Sequence, residues 1–276
     1  MTARRAAVLG VAVLVLLAGC TNIGGPAAPG DGDSDGNGGD APGGDGGGGV
    51  TDGDASGDGF AAADREQVLR DAGSFTATWR YGGTGLDAET GELSVTHAVD
   101  LAGERSLTTW ESSDGAETEG WQQFHVDGVT YTRYGAGDEA GYASAPGDTD
   151  LVATGLAYGG LYAATDTDDL VATSQETFDG VQVTRYELAE RATVPWFAAG
   201  GAGSAGGADP DRLEEVDWTY TVLVDGDGLV RSESWGWTGT TADGGTATFE
   251  SAYSITGVGS TTVDDPPWLD EATGSS

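Results

Sequence analysis

From Ser74 onward apolar and polar residues alternate: Phe75, Ala77, Trp79 and Tyr81 interleave with Ser74, Thr76, Thr78 and Arg80. A period of two marks a strand with one buried face. Leu93 to Leu101 and Arg105 to Ser112 read as further strands. Phe124-His-Val-Asp-Gly-Val-Thr-Tyr131 reads as a hairpin turned at Asp127-Gly128, and Phe178-Asp179-Gly180-Val181 as a second. Asp225-Gly-Asp-Gly228 joins Val216–Val224 to Leu229–Trp237, and Thr246 to Ile255 is a last strand. Asp-Gly between apolar runs supplies the positive φ that tight hairpin turns require.

Two segments follow the helical period instead. Phe60 to Ala72 turns Phe60, Val68 and Leu69 to one side and stops at Gly73. Asp150 to Tyr162 carries Leu151, Val152, Leu156, Tyr158 and Tyr162, is loosened by Gly155, Gly159 and Gly160, and is capped by Asp148 or Thr149. It is too apolar to stand alone in water, so it should lie on the sheet. Strands joined mainly by tight turns cannot pair in parallel. The expected fold is mainly β with a few helices: a single curved antiparallel sheet, a half-open barrel, with helices packed on its concave face.

Upstream the pattern breaks down. Arg4 and Arg5 precede an uncharged apolar run, Ala6 to Ala18, which is short of the ~20 residues of a membrane span. Leu17-Ala18-Gly19-Cys20 follows, with the only cysteine of the chain. This arrangement resembles the lipobox of exported lipoproteins. The resemblance implies cleavage before Cys20 and a thioether-linked lipid on its thiol. Arg4-Arg5 also resembles a twin-arginine export signal, although Ala3, Ala6 and Ala7 fit it loosely. The rest of the chain then has no thiol, and so no disulfide.

Thr21 to Gly59 is nearly all Gly, Asp, Ala, Pro and Ser. It cannot bury enough apolar surface to offset its ordering entropy, and reads as a disordered tether of ~35 Å root-mean-square reach. Asp31-Gly-Asp33-Ser-Asp35-Gly36 matches the start of an EF-hand loop, but the twelfth position, a bidentate Glu in that motif, is Pro42. The chain therefore divides into a lipoprotein signal peptide (1–19), a lipidated Cys20 with its tether (20–59) and a β domain (60–276).

Charge changes the picture of the partners. Asp and Glu total 46 against 11 Arg and no Lys, a formal charge of -35. Such a chain repels nucleic acid and anionic headgroups. Spread along the sequence, the acid profile resembles that of proteins from halophilic archaea, whose solvent screens self-repulsion within ~3 Å at 1 M salt.

Catalytic patterns are weak. His97 and His125 both sit in predicted strands with no Cys beside them, and no H-E-x-x-H occurs. Ala202-Gly-Ser204-Ala-Gly206 lacks the first glycine and the preceding strand of a nucleophile elbow. Acidic pairs such as Asp168-Asp169 and Glu214-Glu215 are too common in this chain to single one out as a glycosidase pair. No enzyme activity, cofactor or metal is expected.

The aromatic residues carry more. Of eight Trp, six lie on or beside strands: Trp79, Trp110, Trp121, Trp218, Trp235 and Trp237. Core filling accounts for most, since each buries ~150–250 Å². Trp235 and Trp237 alternate in step with Arg231 and Glu233, which suggests a partly open face. Val194-Pro-Trp-Phe197 stands in a loop beside a Gly/Ala run and reads as a plug or lid. A lipobox, a linker, an N-terminal helix, a long meander and the phrase Trp121-Gln-Gln-Phe-His-Val-Asp-Gly-Val-Thr-Tyr-Thr-Arg-Tyr134 resemble the LolA/LppX-type lipoprotein carriers. The tail Val263-Asp-Asp-Pro-Pro-Trp-Leu269 resembles that of haloarchaeal surface lipoproteins with this domain. The resemblance implies a half-open barrel whose helices plug a hydrophobic cavity, and an apolar ligand. The expected wall is Trp79, Tyr131, Leu156, Trp196, Phe197, Trp218 and Trp235. The expected protein is a monomer at the outer face of the cytoplasmic membrane, held there by the lipid on Cys20. Two alternatives are a surface module with a solid core that contacts another envelope protein, and an extracellular hydrolase.

Overall fold

The computed structural model describes residues 60–84, 92–114, 117–135, 137–157, 159, 169–188 and 213–274. All lie in the compact unit Asp54–Ser276. Cys20, the tether with its Asp-rich loop, and the Val194–Phe197 and Ala202–Gly206 stretches fall outside the described residues.

Eleven strands form one antiparallel sheet that does not close. In chain order they are β1 (Ser74–Thr84), β2 (Glu92–Asp100), β3 (Arg105–Asp114), β4 (Glu117–Val126), β5 (Val129–Tyr134), β6 (Gly141–Pro146), β7 (Leu170–Phe178), β8 (Val181–Leu188), β9 (Leu213–Asp225), β10 (Val230–Thr241) and β11 (Thr246–Thr256). Their spatial order is β6-β5-β4-β3-β2-β1-β11-β10-β9-β8-β7. The sheet is thus two meanders joined where the first strand pairs with the last, Trp79 opposite Tyr253. The expected turns are in place: Asp127 and Asp179 adopt φ of 51° and 48°, each followed by a glycine at positive φ.

The segment that follows β6 lies on one face of the sheet. Two helices lie on that face, α1 (Arg65–Ala72) and α2 (Leu151–Leu156). Helix α1 begins five residues later than Phe60, because Asp64 caps it by accepting the Gln67 N–H at 3.1 Å. Gly73, at φ 77°, ends it. The cap of α2 is Asp150 rather than Asp148 or Thr149: its Oδ1 accepts from Val152 and Ala153 at 3.1 and 3.0 Å. Asp150 Oδ2 also accepts from Arg70 at 2.7 Å, which ties the two helices together. These hydrogen bonds, that of Ala153 first, hold the Asp150 carboxyl below its usual range.

The glycines of the α2 segment do more than loosen it. A Cβ at Gly155 would stand 2.8 Å from Phe75 Cε2, and one at Gly159 2.6 Å from Tyr253 Cδ1. The backbone therefore lies directly on the rings of the sheet. Tyr253 donates its hydroxyl to the Gly155 carbonyl at 2.8 Å. His97 Nε2 bonds the Leu151 carbonyl at 3.1 Å, so it carries the proton, and Nδ1 accepts from Thr108 at 2.7 Å. Burial lowers the His97 pKa, partly offset by that carbonyl, and keeps the ring neutral. Phe75, Val99, Val152, Leu69 and Ile255 are wholly buried in this cluster.

A third helix, α3 (Leu269–Gly274), departs from the expectation that the helices share one face. It follows Val263 and Trp268, which pack on Phe124, Leu107 and Tyr131. The register places Phe124, Leu107 and Ala98 in line with Thr76, on the face away from α1 and α2. The Pro-Pro-Trp tail is therefore a structural strap. Trp268 Nε1 donates to Gln122 Oε1 at 2.6 Å, its ring stacks on Tyr142, and Asp265 pairs with Arg105.

Candidate functional site

Strands β1 and β9 to β11 carry a continuous bank of rings on the helix face. Trp79 meets Tyr81 with ring centroids 4.9 Å apart, and Tyr81 meets Phe249 at 6.3 Å. Phe249 lies 4.9 Å from Trp235 and 6.2 Å from Trp237. Trp218 closes the set, 6.4 Å from Trp235 and 6.5 Å from Trp237. The alternation builds it: Tyr81, Phe249, Trp235 and Trp237 all occupy inward positions of their strands, and Trp237 sits directly opposite both Trp218 and Phe249. Offset and edge contacts of this kind add roughly 0.5–1.5 kcal/mol per pair beyond area burial.

The centre of the bank is buried and its border is half-buried. Trp235, Trp237 and Phe249 are 3–5 % exposed, whereas Trp79, Tyr81 and Trp218 are half-buried. Burial raises the Tyr81 pKa, so its phenol is neutral well past physiological pH.

The expectation that Arg231 and Glu233 would hold this face open is incorrect. Both are buried, because both are satisfied internally. Glu233 accepts from the Tyr220 hydroxyl at 2.6 Å, and Arg231 Nε donates to Asp225 at 2.7 Å. Arg231 lies at a shift of register between β10 and β9, which turns it toward the Asp225 end of the sheet. A buried charge is tolerated when paired and hydrogen-bonded in this way.

Of the expected wall residues, Trp218 and Trp235 stand together in the bank. Trp79 joins it through Tyr81 and also packs, with Leu156, on the cluster under α2. Tyr131 lies on the other face, in the cluster around Trp268. Trp196 and Phe197 are outside the described residues. The residues that sequence reasoning leaves off the wall are Tyr81, Trp237 and Phe249, although it places Trp237 with Trp235 on a partly open face. Their signal is the strand alternation itself. His125, like His97, is engaged locally, with Nδ1 3.0 Å from the Thr130 hydroxyl. Among the described residues no three His, Cys, Asp or Glu side chains stand close enough to hold a metal ion.

A concavity of about 1310 Å³ lies across the opposite face of β1, β2 and β9 to β11. Hydroxyl, carboxylate and glycine positions line it together with Arg80, Leu93, Ala252 and the ring-bearing positions 81, 235, 237 and 249, so it is a different space from the apolar cavity expected beneath the helices.

No curated protein matches this chain. Solved structures to which this chain is similar include LprF from Mycobacterium bovis, at 10 % identity, TM-score 0.33 and coverage of 76 % of this chain and 99 % of LprF. MucB, solved in complex with MucA(peri), is 16 % identical with a TM-score of 0.28; the match covers 76 % of this chain and 58 % of MucB. A LolA superfamily protein from Nitrosomonas europaea, NE2245, is 10 % identical with a TM-score of 0.22, over 75 % of this chain and 97 % of its own. A model of a family of unknown function, DUF7537, matches residues 5–272, which takes in the whole sheet, and the chain belongs to that family.

Proposed function

We propose that this is a lipid-anchored extracytoplasmic binding protein that holds an apolar, lipid-like ligand against the border of its aromatic bank. The observation that carries the reading is the graded burial of that bank. Its closed centre fixes the sheet, and its half-buried rings at Trp79, Tyr81 and Trp218 present apolar surface beside it. Ligand sites of this kind are mainly aromatic and aliphatic, with few polar groups. The binding is non-catalytic in this reading, since both histidines serve local hydrogen bonds.

A fluorescent fatty acyl probe tests it. Wild-type protein purified without detergent should take up the probe. Trp218→Ala should weaken uptake about tenfold while lowering stability by less than ~1.5 kcal/mol, because the ring is only half-buried. Trp196→Ala with Phe197→Ala should act in the same sense. A second reading, a contact module with a solid core, is favoured by the direct seating of α2 on Phe75 and Tyr253. Wild-type protein that takes up no probe would leave that reading in place.

The anchor is tested separately. The lipobox-like Leu17-Ala18-Gly19-Cys20 implies that Cys20→Ser moves the protein from the membrane fraction to the medium, or leaves an unprocessed precursor. A mutant that stays processed and membrane-bound would refute the lipid anchor.

A further inference from the structure

We infer that the groove on the face away from α1 and α2 binds a neutral, hydroxyl-rich chain of the carbohydrate class. The inference stands on different residues from the aromatic bank and does not depend on it. The registers set the groove out in rows across the strands. In the middle row Gly82, Glu250 and Gly236 stand side by side on β1, β11 and β10. Two of these three positions have no side chain, so the row is a trough with one exposed carboxylate in it. On one side runs a row of hydroxyls, Thr84, Thr248 and Thr238, ending at Asp217 on β9. The first two already share a hydrogen bond of 3.0 Å. On the other side Ser94, Arg80, Ala252 and Ser234 form a third row.

The trough is built into the sheet. A Cβ at Gly236 would stand 2.5 Å from the Phe249 carbonyl oxygen, so the close approach of β10 to β11 requires glycine there. At Gly82 a Cβ would meet Glu92 Cγ only at 3.4 Å, an ordinary contact. The bare position on β1 is therefore not demanded by packing.

Several ligand classes fit poorly. Trp235, Trp237 and Phe249 border the groove, but their side chains belong to the other face and are 3–5 % exposed, so these three rings offer an apolar ligand little surface there. The carboxylates of Glu92, Asp217 and Glu250 do not converge into a metal site. With a chain charge of -35 they repel a polyanion. A polycation is drawn to these carboxylates but meets Arg80, which is exposed and has no ion pair among the described residues, and so is the competing occupant that the test must separate. A chain of sugar hydroxyls, each a donor and an acceptor, matches all three kinds of lining group: carboxylates that only accept, a guanidinium that only donates, and threonine and serine hydroxyls that do both. The size agrees. About 1310 Å³ exceeds the ~300–1,000 Å³ of a small-molecule site, and five strands span ~19 Å across, room for several sugar units.

Titration calorimetry of the lipid-free mature chain in molar KCl tests this with three probes: maltohexaose, cellohexaose and N-acetylchitohexaose. At least one should bind, with Kd on the order of 0.1–1 mM. Gly82→Gln, which fills the trough, and Arg80→Ala, an exposed change, should each weaken that binding by about tenfold with the unfolding midpoint unchanged. Uptake of the acyl probe should be unaffected by Gly82→Gln, which separates this site from the aromatic bank. The inference is overturned if none of the three hexasaccharides binds, if both variants bind as the wild type does, or if a hexa-arginine peptide binds in their place.

Discussion

Trp235→Ala should be the most damaging single substitution in the aromatic bank, costing ~3–5 kcal/mol of unfolding free energy. The ring is 4 % exposed and lies 4.9 Å from Phe249 and 6.4 Å from Trp218. Its removal leaves a void that these neighbours cannot fill, because each is itself held on an antiparallel ladder: Phe249 opposite Trp237 and Gly83, Trp218 opposite Trp237. The transfer free energy of the ring and the cavity left behind then add. Denaturant unfolding in molar salt measures the effect, and a parallel Trp218→Ala sample gives the half-buried reference. A cost for Trp235→Ala below ~1 kcal/mol, with retained or increased uptake of an acyl probe, would mean that the ring borders open space and that the centre of the bank belongs to the ligand site.

Salt should act on the whole molecule. With 46 acidic side chains and 11 Arg, one-to-one pairing leaves at least 35 carboxylates without a cationic partner. Among the described residues the close ion pairs concentrate on a few arginines: Arg70 with Glu66 and Asp150, Arg105 with Asp265, Arg185 with Glu187, and Arg231 with Asp225. In dilute buffer the surface charges repel one another over ~30 Å at 0.01 M; at 1 M the range falls to ~3 Å. Concentrated salt also strengthens apolar burial when the salt is excluded from the surface. The thermal or denaturant midpoint should therefore rise steeply from millimolar to molar KCl. A midpoint that barely moves over that range would reject a screened, salt-adapted surface and reopen specific cation binding by the acidic residues.

The local features of this fold were legible because they depend on neighbours in sequence. The period of two at Phe75–Tyr81 and the Asp-Gly turns at 127–128 and 179–180 specify strands and hairpins without reference to the rest of the chain. A run of such hairpins permits only an antiparallel sheet, so the fold class followed as well. The lipobox-like leader and the acid-rich composition are likewise properties of the linear chain.

What the sequence left open is which side chains meet. Whether Arg231 and Glu233 open a face or close it depends on Asp225 and Tyr220, which stand against them only once β9 and β10 come into register. The α2 glycines read as loosening until Phe75 and Tyr253 stand beneath them. The Pro-Pro-Trp tail carries no period, and its place on the face away from the other helices is set by Phe124, Gln122 and Tyr142, more than a hundred residues earlier. The trough of Gly82, Glu250 and Gly236 does not exist until β1, β11 and β10 come into register, and a shift of one residue would turn each side chain to the other face. The sequence by itself determined the strands, their turns and the antiparallel class, because those rest on local sterics and periodicity. Only the tertiary structure decided which residues share a face and which space stays open, because register is fixed by the packing of segments far apart in the chain.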